Sequence, residues 1–323
     1  MKTYDVIALG ELLVDFTENG ISTQGNPLLE ANPGGAPCNV LSMLQKLGKK
    51  TAFIGKVGDD MFGKMLTTAV KEQGINVDNL VTDSQAHTTL AFVHTAEDGD
   101  RSFSFYRNPG ADMLLRWDEV DQKRLADTSI FHFGTLSMTD KSIELVTQMA
   151  LHKAKEGGAL ISFDPNLRPP LWSDLENARR CMWYGVHACD ILKISDDEIA
   201  FLTGTENIDQ GIERILGQSN VKLVCATMGK QGSKAYYKGE CVGCAPFIQE
   251  DTIETTGAGD TFMACVLNTV VEKGLDTLST QDLYEMLQFA NAAAAIITTK
   301  KGALKVMPNR QEIMEMIANR KEC

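Results

Sequence analysis

The sequence predicts an α/β fold, a mainly parallel sheet with helices on both faces, and three observations carry that reading. Short apolar runs at residues 6–9, 51–57, 130–133, 159–163, 191–194 and 223–227 alternate with stretches of helical period at 37–47, 61–73, 143–155, 175–184 and 208–216. Continuous apolar strands are buried on both faces, and their alternation with helices makes βαβ units. Two Ala-rich helical stretches, 258–273 and 281–298, then follow with little strand between them. Finally, 43% of the 323 residues are hydrophobic, which is ample for a large core and excludes a disordered or collagen-like chain.

Two segments break the alternation. Residues 12–32 follow the first strand without a helical period, and 88–106 read as strand, turn at 97–100, strand, with Leu90, Phe92, Phe103 and Phe105 alternating. They predict a small β-sheet lid inserted at about 12–32 and 88–110 into a single domain spanning 1–323. Two extra edge strands of the main sheet are the alternative.

Charge and cysteines bound the partners. Acidic residues outnumber basic ones 43 to 31, for a net charge of -12, so the surface repels a nucleic-acid backbone. No segment has the length and purity of a membrane helix, and Asp5 and Glu11 interrupt the first apolar run too early for a signal peptide. The 8 cysteines are scattered, with Cys181, Cys225 and Cys265 inside apolar stretches, so they read as reduced core thiols of a cytoplasmic protein. Cys241 and Cys244 have metal-ligand spacing but no second pair nearby, and they read as part of a strand.

The sharpest motif is Thr255-Thr256-Gly257-Ala258-Gly259-Asp260-Thr261-Phe262, just ahead of a long apolar helix. Small residues at a helix start let N–H groups approach an anion, and a carboxylate among them can take a proton from an attacking hydroxyl. A glycine-assisted helix start, with Asp260 an ordinary first-turn acid, is the plain alternative. Phe262 breaks the dinucleotide glycine pattern, and no phosphate-binding G-x-x-x-x-G-K-[ST] occurs.

That motif resembles the C-terminal signature of the PfkB, or ribokinase-like, carbohydrate kinases. Gly34-Gly35-Ala36-Pro37-Cys38-Asn39-Val40 and Gly55-Lys56-Val57-Gly58-Asp59-Asp60 resemble the N-terminal signature, and residues 226–232 and 291–295 resemble the nucleotide-binding stretch and late helix. The likeness runs from residue 5 to about 308. It implies a ribokinase-like fold and ATP with Mg²⁺ acting on a small sugar. It also implies Asp260 as base, an anion hole at Gly257, Ala258 and Gly259, and sugar contacts at Asp15, Gly34, Gly35 and Asn39. Thr227, Gly229, Gly232, Asn291 and Lys193 fall to the nucleotide, and the lid is expected to join a homodimer.

Within the family, residues 99–112, 131–137 and 163–172 are most similar to fructokinases, implying D-fructose 6-phosphate as product. A lid strand bearing Phe105 and Arg107 offers an apolar wall and a guanidinium, and Arg168 follows a strand end. Two arginines also suit a carboxylate, so 2-keto-3-deoxygluconate kinase is a rival, as is a silent sugar or nucleotide sensor on the same fold. Two positions depart from the family. Ser195 stands where relatives carry Asn, three residues before Glu198, which helps organise Mg²⁺ indirectly. Glu254 replaces the Asp of relatives activated by K⁺, whose other ligands are backbone carbonyls mapping to Thr256, Ile297, Lys300 and Gly302. Weak K⁺ activation is the expectation.

Overall fold

A computed structural model describes residues 2–95 and 101–319. The chain opens with β1 (Tyr4–Leu9), β2 (Leu13–Ile21), β3 (Pro27–Gly34), α1 (Ala36–Lys46), β4 (Thr51–Gly58), α2 (Met61–Glu72) and β5 (Asn76–Asp83). It continues through β6 (Leu90–Thr95), β7 (Arg101–Tyr106), α3 (Gln122–Leu125), β8 (Thr128–Phe133), α4 (Lys141–Glu156), β9 (Leu160–Phe163) and α5 (Leu175–Ala188). Next come β10 (Ile191–Ser195), α6 (Asp196–Thr203), α7 (Ile208–Gln218) and β11 (Leu223–Thr227). It ends with β12 (Ser233–Tyr237), β13 (Glu240–Cys244), α8 (Ala258–Lys273), α9 (Thr280–Ile297) and α10 (Arg310–Ala318).

The main sheet has nine strands in the order β13-β12-β11-β10-β9-β8-β1-β4-β5. It is parallel from β5 to β11, and the β11-β12 and β12-β13 pairs are antiparallel. Alternate β1 side chains serve two cores: Val6 and Ala8 pack with α1, α8 and α9, while Ile7 and Leu9 pack with α4 and α5. A sheet covered on both faces explains why its strands read as unbroken apolar runs. The strands that escaped the apolar reading sit near the edges: β5, with Asn76, Asp78, Asn79 and Asp83, is half-exposed, and β12 and β13 form an antiparallel hairpin. Cys241 and Cys244 both lie in β13.

β2, β3, β6 and β7 form a separate four-stranded sheet in the order β3-β2-β6-β7, which rules out the edge-strand alternative. The turn read at residues 97–100 lies outside the described residues. Phe16 stacks on Phe92 at 4.9 Å and meets Phe62 of α2 edge-on at 5.6 Å, so one face of this sheet rests on the body. On β2, Leu13, Asp15 and Thr17 face the opposite way, into a crevice.

Polar clamps hold the roots of the small sheet. Asp60 caps α2 through the Gly63 N–H at 2.8 Å and also accepts the Thr88 N–H and hydroxyl, each at 2.8 Å. Asp112 accepts from the Thr89 hydroxyl at 2.5 Å and from Arg107 Nε at 2.8 Å.

Candidate active site

Of the ten α-helices described, eight begin on a side-chain cap, from Asp60 of α2 to Asn309 of α10. The two without one, α1 and α8, start at glycines of positive φ, Gly35 at 124° and Gly257 at 77°, and both starts line the same cavity of about 480 Å³. Glu11 supplies the missing cap of α1, its Oε1 accepting the Ala36 N–H at 2.9 Å. A Cβ on Gly35 would sit 2.5 Å from the Glu11 carbonyl oxygen, so this turn requires glycine.

At α8 the Ala258 N–H turns back to the Thr255 carbonyl at 3.2 Å, and the Thr261 N–H closes the first helical turn on Gly257 at 2.8 Å. The first-turn N–H groups of Gly259 and Asp260 have no intrahelical acceptor, and both residues line the cavity. Helix polarity makes this the natural seat of an anion. Ala258, expected in the anion hole, is the exception: its N–H is already taken within the turn.

Asp260 is 8% exposed, and Asn39 Nδ2 donates to its Oδ2 at 2.8 Å. Burial, then the Asp164 carboxylate, pushes its carboxyl up to about 6, while Asn39, Lys193 and Arg168 pull it down. Asn39 Oδ1 is buried and has no partner among the described residues. Across the cavity, burial raises Asp15 to about 7, with Arg168 opposing the shift and Glu254 and Asp260 adding to it. Gly34 abuts Asp15, since a Cβ there would lie 2.2 Å from Oδ2. Burial also lifts Glu11 to about 7, against its backbone bonds and Arg107.

Lys193, in the middle of β10, sets its ammonium 3.1 Å from each Asp164 oxygen. Burial works against that charge, but Asp164, Glu198 and Asp260 outweigh it and raise the lysine. Phe105 and the exposed Arg168 complete the wall.

Other expected site residues lie elsewhere. Arg107 does not line the cavity. It is 5% exposed, pairs with Asp112 at 2.6 Å, and donates to the Thr139 hydroxyl at 2.8 Å and the Leu136 carbonyl at 2.9 Å. A cation buried at a strand root takes the nearest carboxylate, so the guanidinium anchors β7 instead of facing a sugar. Thr227, Gly229, Gly232 and Asn291 also lie outside the cavity wall. Asn291 accepts from the Ser233 hydroxyl at 2.9 Å and donates to the Cys244 and Ala245 carbonyls at 3.2 and 3.3 Å, fixing the exit of β13. Thr227 pairs across the ladder with Ser195, which does line the cavity, so this group adjoins it one strand away.

Glu198 lines the cavity, but its two oxygens accept the Leu167 and Ser195 N–H groups at 2.8 and 2.9 Å. With the Ser195 hydroxyl it forms a capping box, a signal present in Ser195-Asp196-Asp197-Glu198 and not read as such. Glu254 accepts the Gly302 N–H at 2.6 Å, tying together two loops that line the cavity with Thr256. Ile297 accepts the Lys300 N–H at 3.1 Å, and the Lys300 ammonium goes to Glu312 at 3.3 Å. Glu11 and Asp164 were missed in the sequence. Their signal was an acid within two residues of the end of a buried strand run. A larger hollow, of about 930 Å³, is lined by Val221 and Lys222 just before β11, so it lies at the opposite end of the parallel strands.

An uncapped helix start, a buried carboxylate beside it and the crevice outside strand C-termini agree with the family comparison, in which the pfkB family carbohydrate kinase profile matches residues 4–310. The chain belongs to that family. It is 40% identical over 314 residues to probable fructokinase-4 of Arabidopsis thaliana, covering 97% of this kinase and 96% of the relative. The crystal structure of fructokinase with bound ATP from Xylella fastidiosa superposes with a TM-score of 0.89 at 32% identity, covering 98% and 99% of the two chains. A fructokinase double mutant from Vibrio cholerae O395, bound to fructose, ADP and potassium ion, gives 0.85 at 27%, again over 98% and 99%. The enzyme is a sugar kinase of ribokinase-like fold.

Burying Asp15 costs stability whenever it must ionise. A folded pKa near 7 above an unfolded value near 4 means that stability falls as pH rises through that window and is flat above it. Asp15→Asn is therefore expected to raise the melting temperature of the ligand-free kinase. The gain should be larger at pH 8 than at pH 5 by about 2 kcal/mol, to be checked by paired thermal melts.

Proposed function

We propose that this kinase transfers the γ-phosphoryl group of ATP to D-fructose, giving D-fructose 6-phosphate and ADP. The carrying observation is the charge of the crevice. Among the described residues, its wall holds Glu11, Asp15, Glu198, Glu254 and Asp260 against Arg168 and Lys193. With Arg107 committed to Asp112, an acidic sugar lacks its bidentate clamp, and a neutral polyol suits the carboxylates. The fructokinase relatives support the same acceptor.

In this reading Asp15, the free Asn39 Oδ1 and the Gly34-Gly35 backbone take sugar hydroxyls. The primary hydroxyl oxygen forms the new P–O bond, its proton passes to Asp260, and the bond to the bridging oxygen breaks with its electron pair leaving on ADP. The open N–H groups of Gly259 and Asp260, with the Gly257 turn, receive the moving charge, and positioning supplies most of the rest. Thr227, Gly229, Gly232 and Asn291 shape the nucleotide side. Mg²⁺ would enter with the nucleotide, held by its phosphates. Glu198, its oxygens bound to backbone N–H groups, orders the adjacent turn and shapes the field around the ion. Cys38, Cys181, Cys189, Cys225 and Cys265 are free thiols buried in the core, in keeping with the cytoplasmic enzyme proposed here.

A sugar panel with ADP release as readout tests the assignment, with fructose expected to give the highest kcat/KM. Preference for 2-keto-3-deoxygluconate would overturn it. Asp260→Asn should lower kcat by about 10²–10⁴ with sugar affinity little changed. Since the base must be ionised, wild-type kcat/KM should fall as pH drops through about 6, and Asn39→Ala, which removes a bond favouring the ionised form, should move that limb upward.

The loop pair bearing Thr256, Ile297, Lys300 and Gly302 is the proposed K⁺ seat. The Glu254 bond to Gly302 already ties these loops, and the Lys300 ammonium, turned to Glu312, does not fill the space. Initial rates against KCl at constant ionic strength should show weak activation, strengthened by Glu254→Asp. Strong saturable activation of the unmutated enzyme at low millimolar K⁺ would show the substitution to be silent. Ile21, Leu28, Leu29 and Tyr106 are all exposed on the small sheet, so a homodimer through it is proposed. Light scattering at micromolar concentration should give twice the chain mass, and a monodisperse monomer would refute the pairing.

A further inference from the structure

The resemblance gives Lys193 to the nucleotide, but its position is more specific than that. Its ammonium lies at the start of α8: a Cβ built on Gly259 would be 3.0 Å from Nζ and 3.6 Å from Cε. The side chain is 8% exposed and lines the cavity together with Gly257, Gly259 and Asp260. Asp164, 4% exposed at the side chain, stands behind it and outside the cavity wall. The other cation of the wall, Arg168, is exposed and acts on Asp15 on the sugar side. Among the described residues the cavity thus has one buried positive charge, and it sits where the helix donors converge.

We propose that Lys193 is a catalytic residue, its ammonium held by Asp164 against Gly259 so that it contacts the phosphoryl group in flight. The inference rests on the phosphoryl-transfer reading above. An ammonium carries three N–H donors, and the carboxylate behind it orients the group without using all of them. A dry, pre-oriented cation beside developing phosphoryl charge stabilises the transition state more than the ground state, because no reorganisation is needed when the charge arrives. Stability alone explains the pair poorly, since a buried ion pair is often no better than apolar residues of the same volume. Glycine at 259 follows from the same contact, because any larger residue would press on the ammonium.

The test separates catalysis from charge balance. Lys193→Met leaves Asp164 buried and unpaired, whereas Lys193→Met with Asp164→Asn removes both charges and keeps the volumes. With the sugar of highest kcat/KM in the panel, both enzymes should lose about 10²–10³ in kcat, with KM for the sugar within about threefold. The double variant should melt near the wild type, so it carries the test if the single variant does not fold. Recovery of kcat to within about fivefold of wild type in the double variant would show that the lysine only neutralises Asp164, and the proposal would fall. A defect confined to KM for ATP would overturn it as well, by placing the lysine on the ground-state nucleotide. Failure of the underlying reading is distinguishable: the wild-type enzyme would then turn over no sugar in the panel, before any variant is made.

Discussion

The N-terminus of α8 is the constraint on which the rest depends. A buried helix start with open N–H groups is costly unless something negative fills it, and eight of the other nine described α-helices close theirs with a side chain of their own start. The exception, α1, borrows Glu11 from the end of β1. Keeping α8 open forces glycine at 257 and places Asp260 within the first turn. It also leaves a positive field that the surrounding carboxylates partly offset. Burial holds three of them, Glu11, Asp15 and Asp260, near neutrality in their proton affinity.

Much of this was legible in the sequence because it rests on local chemistry. The run Gly257-Ala258-Gly259-Asp260 declares a helix start without a cap, and the predicted 258–273 helix agrees with α8. The parallel strands declared themselves by being apolar on both faces. What was not legible is which partner a charged side chain chooses. Arg107 looked free because Asp112, five residues on, is a partner only once the segment after β7 folds back. The partners of Asn291 were not legible because nothing local shows that the chain leaving β13 passes beside α9. Edge strand β5 was missed for the opposite reason: half-exposed, it does not need apolar residues.

The proposed sugar and phosphoryl sites are joined through few atoms. Asn39, on α1, holds Asp260, on α8, by one hydrogen bond while its side-chain oxygen, buried, has no partner among the described residues. The turn that feeds α1, at Gly34 and Gly35, is pressed between Asp15 and the Glu11 backbone. A shift of that turn is thereby felt at Asp260 without passing through the sheet.

The clamps at the roots of the small sheet set its mechanics. Asp60 and Asp112 fix Thr88 and Thr89, while Arg107 fixes the end of β7, so with Phe16 resting on Phe62 the root of the sheet is held and the far ends of β2 and β3 extend beyond it like a lever. The arm is long: nine residues of β2 at about 3.3 Å each reach about 30 Å. A turn of about 10° at the root carries the tip through about 5 Å, with strand hydrogen bonds left intact. By the same ratio, a movement of about 1 Å beside Asp15, two residues from the root, accompanies about 5 Å at the tip.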